Sequence, residues 1–212
     1  MMIEQEDEAK AFCASLTNST GIARLERFAE LLKLENEHQN LVAKASLETI
    51  WQRHFADSAQ LLNYVPRETS PWLDLGTGAG FPGIVIAAMK ADCEVVVVES
   101  RKRRIEWLER LCDELELTNC HVEGARLEQV ESFEARVISA RAFAPLPRLL
   151  ELSARFSSIN TTWVLPKGRS AAQELSELKK AAQSMFHVEQ SVTDRDAGII
   201  VGKYRHKPRH RA

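Results

Sequence analysis

The chain has 212 residues, 44% hydrophobic and 27% charged, the composition of an ordinary soluble globular protein. Its net charge of −2 gives no global nucleic-acid signal, so any RNA-binding surface must be local. The length fits one domain with a helical extension, or one and a half domains.

The first eight residues, Met-Met-Ile-Glu-Gln-Glu-Asp-Glu, are acidic where a signal peptide is basic. No apolar run approaches membrane-spanning length, so a cytoplasmic protein with reduced thiols is expected. A short helix is predicted near Glu4–Leu16, ended by Thr17-Asn-Ser-Thr-Gly21. A longer one runs from about Ile22 to Glu37, with Ile22, Leu25, Phe28, Leu32 and Glu35 at helical spacing and Leu31 widening the stripe. Ser19 or Thr20 can cap its start. Ser46 can cap a third helix, Leu47–Asn63, whose core face is Leu47, Ile50, Trp51, Phe55, Ala59 and Leu62. His54, Asp57 and Ser58 share one face of that helix. They read either as a catalytic cluster or as a hydrogen-bonded structural contact with the next domain. Pro66–Pro71 is the linker. The predicted layout is a helical extension over 1–65, a second domain over 66–204 and a basic tail over 205–212.

The second domain opens on Trp72-Leu-Asp-Leu-Gly-Thr-Gly-Ala-Gly-Phe-Pro-Gly83, followed by the apolar run Ile84–Met89. This is strand, glycine turn, helix. Glycine serves where the backbone takes positive φ or approaches a ligand closely, and Pro82 suits a first helical turn. Two cofactor readings compete. Gly78-Ala-Gly80-Phe-Pro-Gly83 satisfies G-x-G-x-x-G, with Glu99 about 20 residues on, as a dinucleotide site requires. In the other register, Asp74-x-Gly76-x-Gly78-x-Gly80 is the S-adenosylmethionine loop of doubly wound methyltransferases. Asp74 favours the second reading. A carboxylate ahead of the first glycine repels a pyrophosphate and suits an ammonium group. Glu99 serves a ribose diol in either case.

From there the pattern alternates. Strand Val95–Glu99 and helix Arg101–Glu116 are followed by strand Asn119–Glu123, a short helix Ala125–Val130 and strand Arg136–Ala140. Helix Pro145–Phe156, strand Thr161–Leu165 and helix Ser170–Gln183 come next, then a hairpin of Phe186–Val192 with Ile199–Tyr204. Such alternation predicts an α/β fold, a doubly wound, mostly parallel sheet of the Rossmann-like type. Its site belongs at the carboxyl ends of the strands, here Asp74–Gly80, Glu99–Ser100, Gly124–Glu128, Ser139–Arg141 and Pro166–Gly168.

Basic residues cluster twice. Arg101-Lys-Arg-Arg104 opens a helix, where cations oppose the helix dipole. It is either a phosphate-binding feature or a solvated turn partly neutralised by Glu99 and Glu106. Lys203–Arg211 has no acidic residue, and its basic, His and Tyr side chains suit RNA. The four cysteines, Cys13, Cys93, Cys112 and Cys120, contain no C-x-x-C pair, so no metal site is expected.

Several motifs occur together in order: Asn40-Leu41, Arg53-His54-x-x-Asp57-Ser58, Asp74–Gly83, Ser139-Ala-Arg-Ala-Phe143 and Pro166-Lys-Gly168. Together they resemble the small-subunit ribosomal RNA guanine-N7 methyltransferases, the RsmG or GidB family, from about residue 25 to the end of the chain. The glycine loop alone says only methyltransferase; the flanking motifs make the resemblance specific. It implies a bacterial enzyme that uses S-adenosyl-L-methionine to methylate N7 of one guanine in 16S rRNA, in the decoding region. The family's cofactor contacts fall on Gly76, Phe81, Leu127, Glu128 and Arg141. Asp74, Gly78 and Glu99 join them from the loop argument. His54, Asp57 and Asn40 are expected on the RNA side of the pocket. Arg141 and Lys167 are placed to hold RNA phosphate or the target base, Lys167 alternatively being a surface turn residue. No residue is a certain catalyst; His54, Asp57 and Lys167 are the positioning candidates.

Guanine N7 is an unprotonated acceptor, so the reaction needs placement and water exclusion more than a general base. The chain lacks the Asn/Asp-Pro-Pro-Tyr/Phe motif of amino-group methyltransferases and the paired Cys motif of pyrimidine-carbon ones. Both absences agree with a ring-nitrogen target. The competing functions are a non-catalytic RNA-binding assembly factor and an NAD-dependent oxidoreductase. The expected partner is 16S rRNA or the small ribosomal subunit, with the protein itself a monomer.

Overall fold

The computed structural model describes residues 2–204; the basic tail 205–212 lies outside the described residues. Seven strands form one sheet in the order β3-β2-β1-β4-β5-β7-β6. They are β1 (Trp72–Leu75), β2 (Val95–Val98), β3 (Cys120–Glu123), β4 (Val137–Ala140), β5 (Thr162–Gly168), β6 (Phe186–Gln190) and β7 (Gly198–Gly202). The first five are parallel. β7 runs antiparallel to both β5 and β6, so the expected hairpin forms at one end of a parallel sheet.

The sheet is covered on both faces, which is why its central strands are continuous apolar runs rather than alternating ones. Trp72, Val95, Val97, Val137 and Val164 face one core. Leu73, Val96, Val98, Ile138 and Trp163 face the other. On the first face lie α1 (Glu6–Leu16), α2 (Ser19–Glu35), α4 (Gly83–Met89) and α5 (Lys102–Glu114). The second carries α6 (Leu146–Ser153) and α7 (Ala171–Ser176). Ile3, Cys13, Leu25 and Phe28 share their core with Ile84 and Trp107. The N-terminal helices are therefore part of one layer of the sandwich. Each fully buried Val or Leu in these layers contributes about 1.5–3 kcal/mol.

The sequence pattern and the structure differ in three places. The α2 cap is Asn18, whose side chain accepts from Gly21 N at 2.9 Å, one residue ahead of Ser19. The predicted helix Leu47–Asn63 starts later, at Ile50, after a separate 3-10 turn at Lys44–Leu47. It then runs unbroken to Tyr64 with changing pitch: π-helical over Trp51–Ala56, one α turn, α3 (Asp57–Ala59), and 3-10 over Gln60–Tyr64. The helical start is set by Glu6 of α1, whose carboxylate accepts from Trp51 N at 3.0 Å and Gln52 N at 2.9 Å. Ser46 is thereby released from capping and turns to His54. The predicted helix Ser170–Gln183 divides into α7 and α8 (Lys180–Gln183). Leu175 and Leu178 both pack on the second core, and Lys179 then turns extended, with ψ 143°.

Candidate active site

The loop after β1 is held from below. Asp74 is fully buried on the α4 side of the sheet. Its Oδ1 accepts from Ser139 Oγ at 2.6 Å, and its Oδ2 accepts from Thr77 Oγ1 at 2.6 Å and Gly83 N at 3.0 Å. Ser139 is its register partner on β4 and takes a hydrogen bond from Trp72 Nε1 at 2.8 Å. Burial raises the Asp74 pKa, against the lowering effect of those three donors and of Arg141. The carboxylate expected to meet a ligand ammonium is thus engaged inside the protein, where it fixes both ends of the glycine turn.

The turn itself needs its glycines. Gly76 has φ +67°, and a Cβ there would lie 2.6 Å from the Phe143 ring. Gly78 has φ +61°, and a Cβ there would meet the tip of the Arg104 side chain at 3.4 Å and Gly76 O at 3.6 Å, both ordinary contacts. Glu99, at the end of β2, is 6% exposed and accepts from Ser100 N and Arg101 N through Oε1. Its Oε2 stands 3.8 Å from Arg104. After β3, Leu127 is buried and its carbonyl accepts from Arg155, whereas Glu128 is exposed.

A cleft of about 990 Å³ opens beside this loop, over the ends of β4 and β5. It brings together His54, Asp57, Arg141 and Lys167 from segments far apart in sequence. Asn40 is exposed beside it and its neighbour Leu41 forms part of the wall. Arg141 is the centre. It donates to His54 Nδ1 at 3.3 Å, pairs with Asp57 at 3.5 Å and lies over the Phe81 ring at 4.8 Å. Burial lowers the Arg141 pKa, and Asp57 and Asp74 oppose that shift. An arginine always donates, so His54 Nδ1 is an acceptor and the imidazole proton sits on Nε2, which donates to Ser46 Oγ at 2.8 Å. The His54 ring stacks on Phe81 with centroids 4.7 Å apart. Its pKa is pushed down to about 3, first by burial and then by the charges of Arg141 and Arg53.

Both readings of the His54–Asp57–Ser58 face therefore meet in one place. His54 and Asp57 do bond across to the sheet, and the residue they bond is Arg141 in the cleft wall. Ser58 is buried away from it, with its hydroxyl unpaired among the described residues. Lys167 is no surface turn lysine: its side chain is 6% exposed, with Nζ 2.9 Å from Glu174 and donating to Ala144 O at 2.7 Å. Glu174 also accepts from Leu146 N and Ser170 Oγ. Burial raises its pKa, but Lys167, Ser170 and Leu146 together bring it below its ordinary value. All three carboxylates of the cleft are paired: Asp57 with Arg141, Asp194 with Arg53, Glu174 with Lys167.

The sequence places Ser139 at a strand end of the site but does not show that it holds Asp74, and it assigns no site role to Phe143 or Glu174. Ser139 and Phe143 stand inside the Ser-Ala-Arg-Ala-Phe motif, which was the available signal. Glu174 has none, being one glutamate of an ordinary amphipathic helix.

A glycine turn locked under a buried aspartate, a carboxylate at the end of β2, and a parallel sheet closed by one antiparallel strand define a doubly wound fold that seats a nucleoside-containing cofactor at its carboxyl edge. A solved S-adenosylmethionine-dependent methyltransferase from Aquifex aeolicus shares the fold, with TM-score 0.58 and 15% identity over 79% of this chain and 96% of that one. The family described as GidB, rRNA small subunit methyltransferase G, matches residues 21–199. The chain belongs to that family. It is 58% identical to the ribosomal RNA small subunit methyltransferase G of Erythrobacter litoralis, over 97% of this chain and all of the relative. It is 52% identical to the Novosphingobium aromaticivorans protein of the same name, over 96% and 90% of the two chains. Membership settles the cofactor choice: the loop is read in its S-adenosylmethionine register, not its dinucleotide one.

Proposed function

We propose that the chain transfers a methyl group from S-adenosyl-L-methionine to N7 of one guanine in 16S rRNA of the small ribosomal subunit. Bound S-adenosylmethionine supplies an electrophilic methyl on a sulfonium. The backbone of Gly76 and Gly78 would line its seat, Glu99 would accept from the ribose diol, and Leu127 would give the adenine an apolar neighbour. The positive-φ glycines Gly76 and Gly78 fit such a group, as does Glu99 Oε2, which accepts no hydrogen bond among the described residues and has Arg104 only at 3.8 Å. Asp74 acts through the loop it fixes, and Phe81 through Arg141 and His54.

The observation that carries the N7 assignment is the absence of an idle base in the cleft. The three cleft carboxylates are committed to ion pairs, and His54 is held neutral with its free nitrogen bonded to Arg141. A nucleophile that must lose a proton finds no ready acceptor there. Guanine N7 carries no proton, and needs only to be placed in line with the methyl. Placement of this kind lowers a barrier by roughly 7–11 kcal/mol. The base becomes cationic as the sulfonium becomes a neutral thioether, so the step moves the positive charge without adding to it.

Calorimetry and transfer of labelled methyl test the reading. The protein should bind S-adenosylmethionine and its demethylated product, and should label small-subunit RNA. Binding of RNA with no labelling in the presence of bound donor would instead leave an assembly factor.

A further inference from the structure

Among the described residues, Phe143 carries the one carbocyclic aromatic ring in the wall of the cleft. The ring of His54 is also there, but it is buried and already stacked on Phe81. Phe81 is itself stacked on Phe28, at 5.2 Å between centroids. The other apolar wall groups are aliphatic, among them Leu41, Val42 and Pro166. Phe143 is only partly buried: it packs on the second core and touches two further things. Its ring rests on Gly76, where a Cβ would lie 2.6 Å from Cδ2, and it borders the cleft.

The segment bearing this ring is forced into position. Ala142 just before it has φ +54°, a left-handed conformation that a residue with a Cβ rarely adopts. On the far side, Lys167 Nζ holds Ala144 O at 2.7 Å and Glu174 holds Leu146 N at 2.9 Å. Strain of that kind persists only where the surroundings over-determine it. Here the result is a flat apolar face between the glycine loop and the cleft.

We propose that Phe143 is the stacking platform for the target purine. This rests on the function proposed above. A base that reacts at a ring atom has to leave its stack in the RNA, and an aromatic face in the pocket replaces the stacking it gave up. The contact of Phe143 with Gly76 places that face next to the loop assigned to the methyl donor.

The test compares Phe143→Leu and Phe143→Tyr in steady-state methyl transfer to small-subunit RNA. Thermal unfolding and calorimetric affinity for S-adenosylmethionine are measured on each. The Leu variant should lose roughly tenfold or more in kcat/KM for RNA, while its affinity for S-adenosylmethionine stays within about twofold of the wild type. The Tyr variant keeps a ring and should recover most of the loss. Wild-type kcat/KM in the Leu variant would overturn the proposal. So would a loss that tracks weakened S-adenosylmethionine binding, which would put the ring on the cofactor side. If the Leu variant does not fold, Phe143→Met takes its place with the same two outcomes. A wild-type chain that leaves N7 unmethylated overturns the function itself, whereas methylation by the wild type with an indifferent Phe143 overturns only the platform.

Discussion

Asp74→Ala leaves Ser139 Oγ and Gly83 N without their acceptor and leaves Thr77 Oγ1 only the residue 74 carbonyl, which Asp74 O marks at 3.3 Å. Buried donors stranded in this way cost about 1–3 kcal/mol each. The variant should lose at least about 2 kcal/mol in urea unfolding and should bind S-adenosylmethionine poorly, because the turn is no longer fixed. Normal stability with weak binding would show instead that the carboxylate meets the ligand itself. His54 gives a second test at this scale. With its pKa near 3 in the folded protein, it is neutral at every working pH. The single-turnover rate should therefore be flat from mildly acidic to mildly alkaline pH, and His54→Gln should slow it without changing that profile. A rise through a pKa near 6.5 that vanishes in the variant would make His54 a base. Stability follows the same shift. Above about pH 6.5 both folded and unfolded His54 are neutral and nothing is lost. Between that value and about 3 the unfolded chain takes up a proton that the folded one refuses, so the fold weakens as pH falls. His54→Gln should flatten that part of the stability curve.

The segment around residues 44–64 depends on a carboxylate from another element. Glu6→Gln, which weakens the charge-assisted bonds to Trp51 N and Gln52 N, should cost about 1 kcal/mol in chemical unfolding. An unchanged midpoint would mean that packing alone sets the break. The same contact explains what was legible in the sequence. The alternating strands, the glycine turn and the helices after them follow from periodicity and turn chemistry, which are local. The break before Trp51 depends on a residue 45 positions away. The site divides in the same way. Asp74 and the glycines announce a ligand loop, but the partner that explains Asp74 is Ser139, 65 residues on. Lys167 looks like an exposed turn residue until Glu174 and the carbonyl of Ala144 are seen to bury it. Family resemblance named Arg141. Only the fold shows that His54, Asp57 and Phe81 converge on it.

At the scale of the whole molecule, a chain of net charge −2 has to meet a polyanion. The first turn of α5 has no acidic residue, and Arg101, Lys102 and Arg103 are exposed at the rim that carries the site. Lys102 reaches Glu106 only at 3.8 Å. Cations there work against the helix dipole, and an external phosphate offsets that. Replacing Arg101, Lys102 and Arg103 by Gln should reduce the slope of log affinity for RNA against log salt by about 0.7–0.9 per lost phosphate contact. Deletion of residues 205–212 should act in the same direction, and neither change should alter cofactor affinity. An unaltered slope would remove that segment from the RNA footprint.

The central claim is the atom that receives the methyl. N7-methylguanosine is cationic, and after reduction its strand can be cut by aniline, so the position can be read chemically. Small-subunit RNA should be taken from cells with the chain, without it, and with it restored. One cut in 16S rRNA should disappear without the chain and return on restoration. A cut that persists without the chain, or a chain-dependent methyl found on another atom, would contradict it.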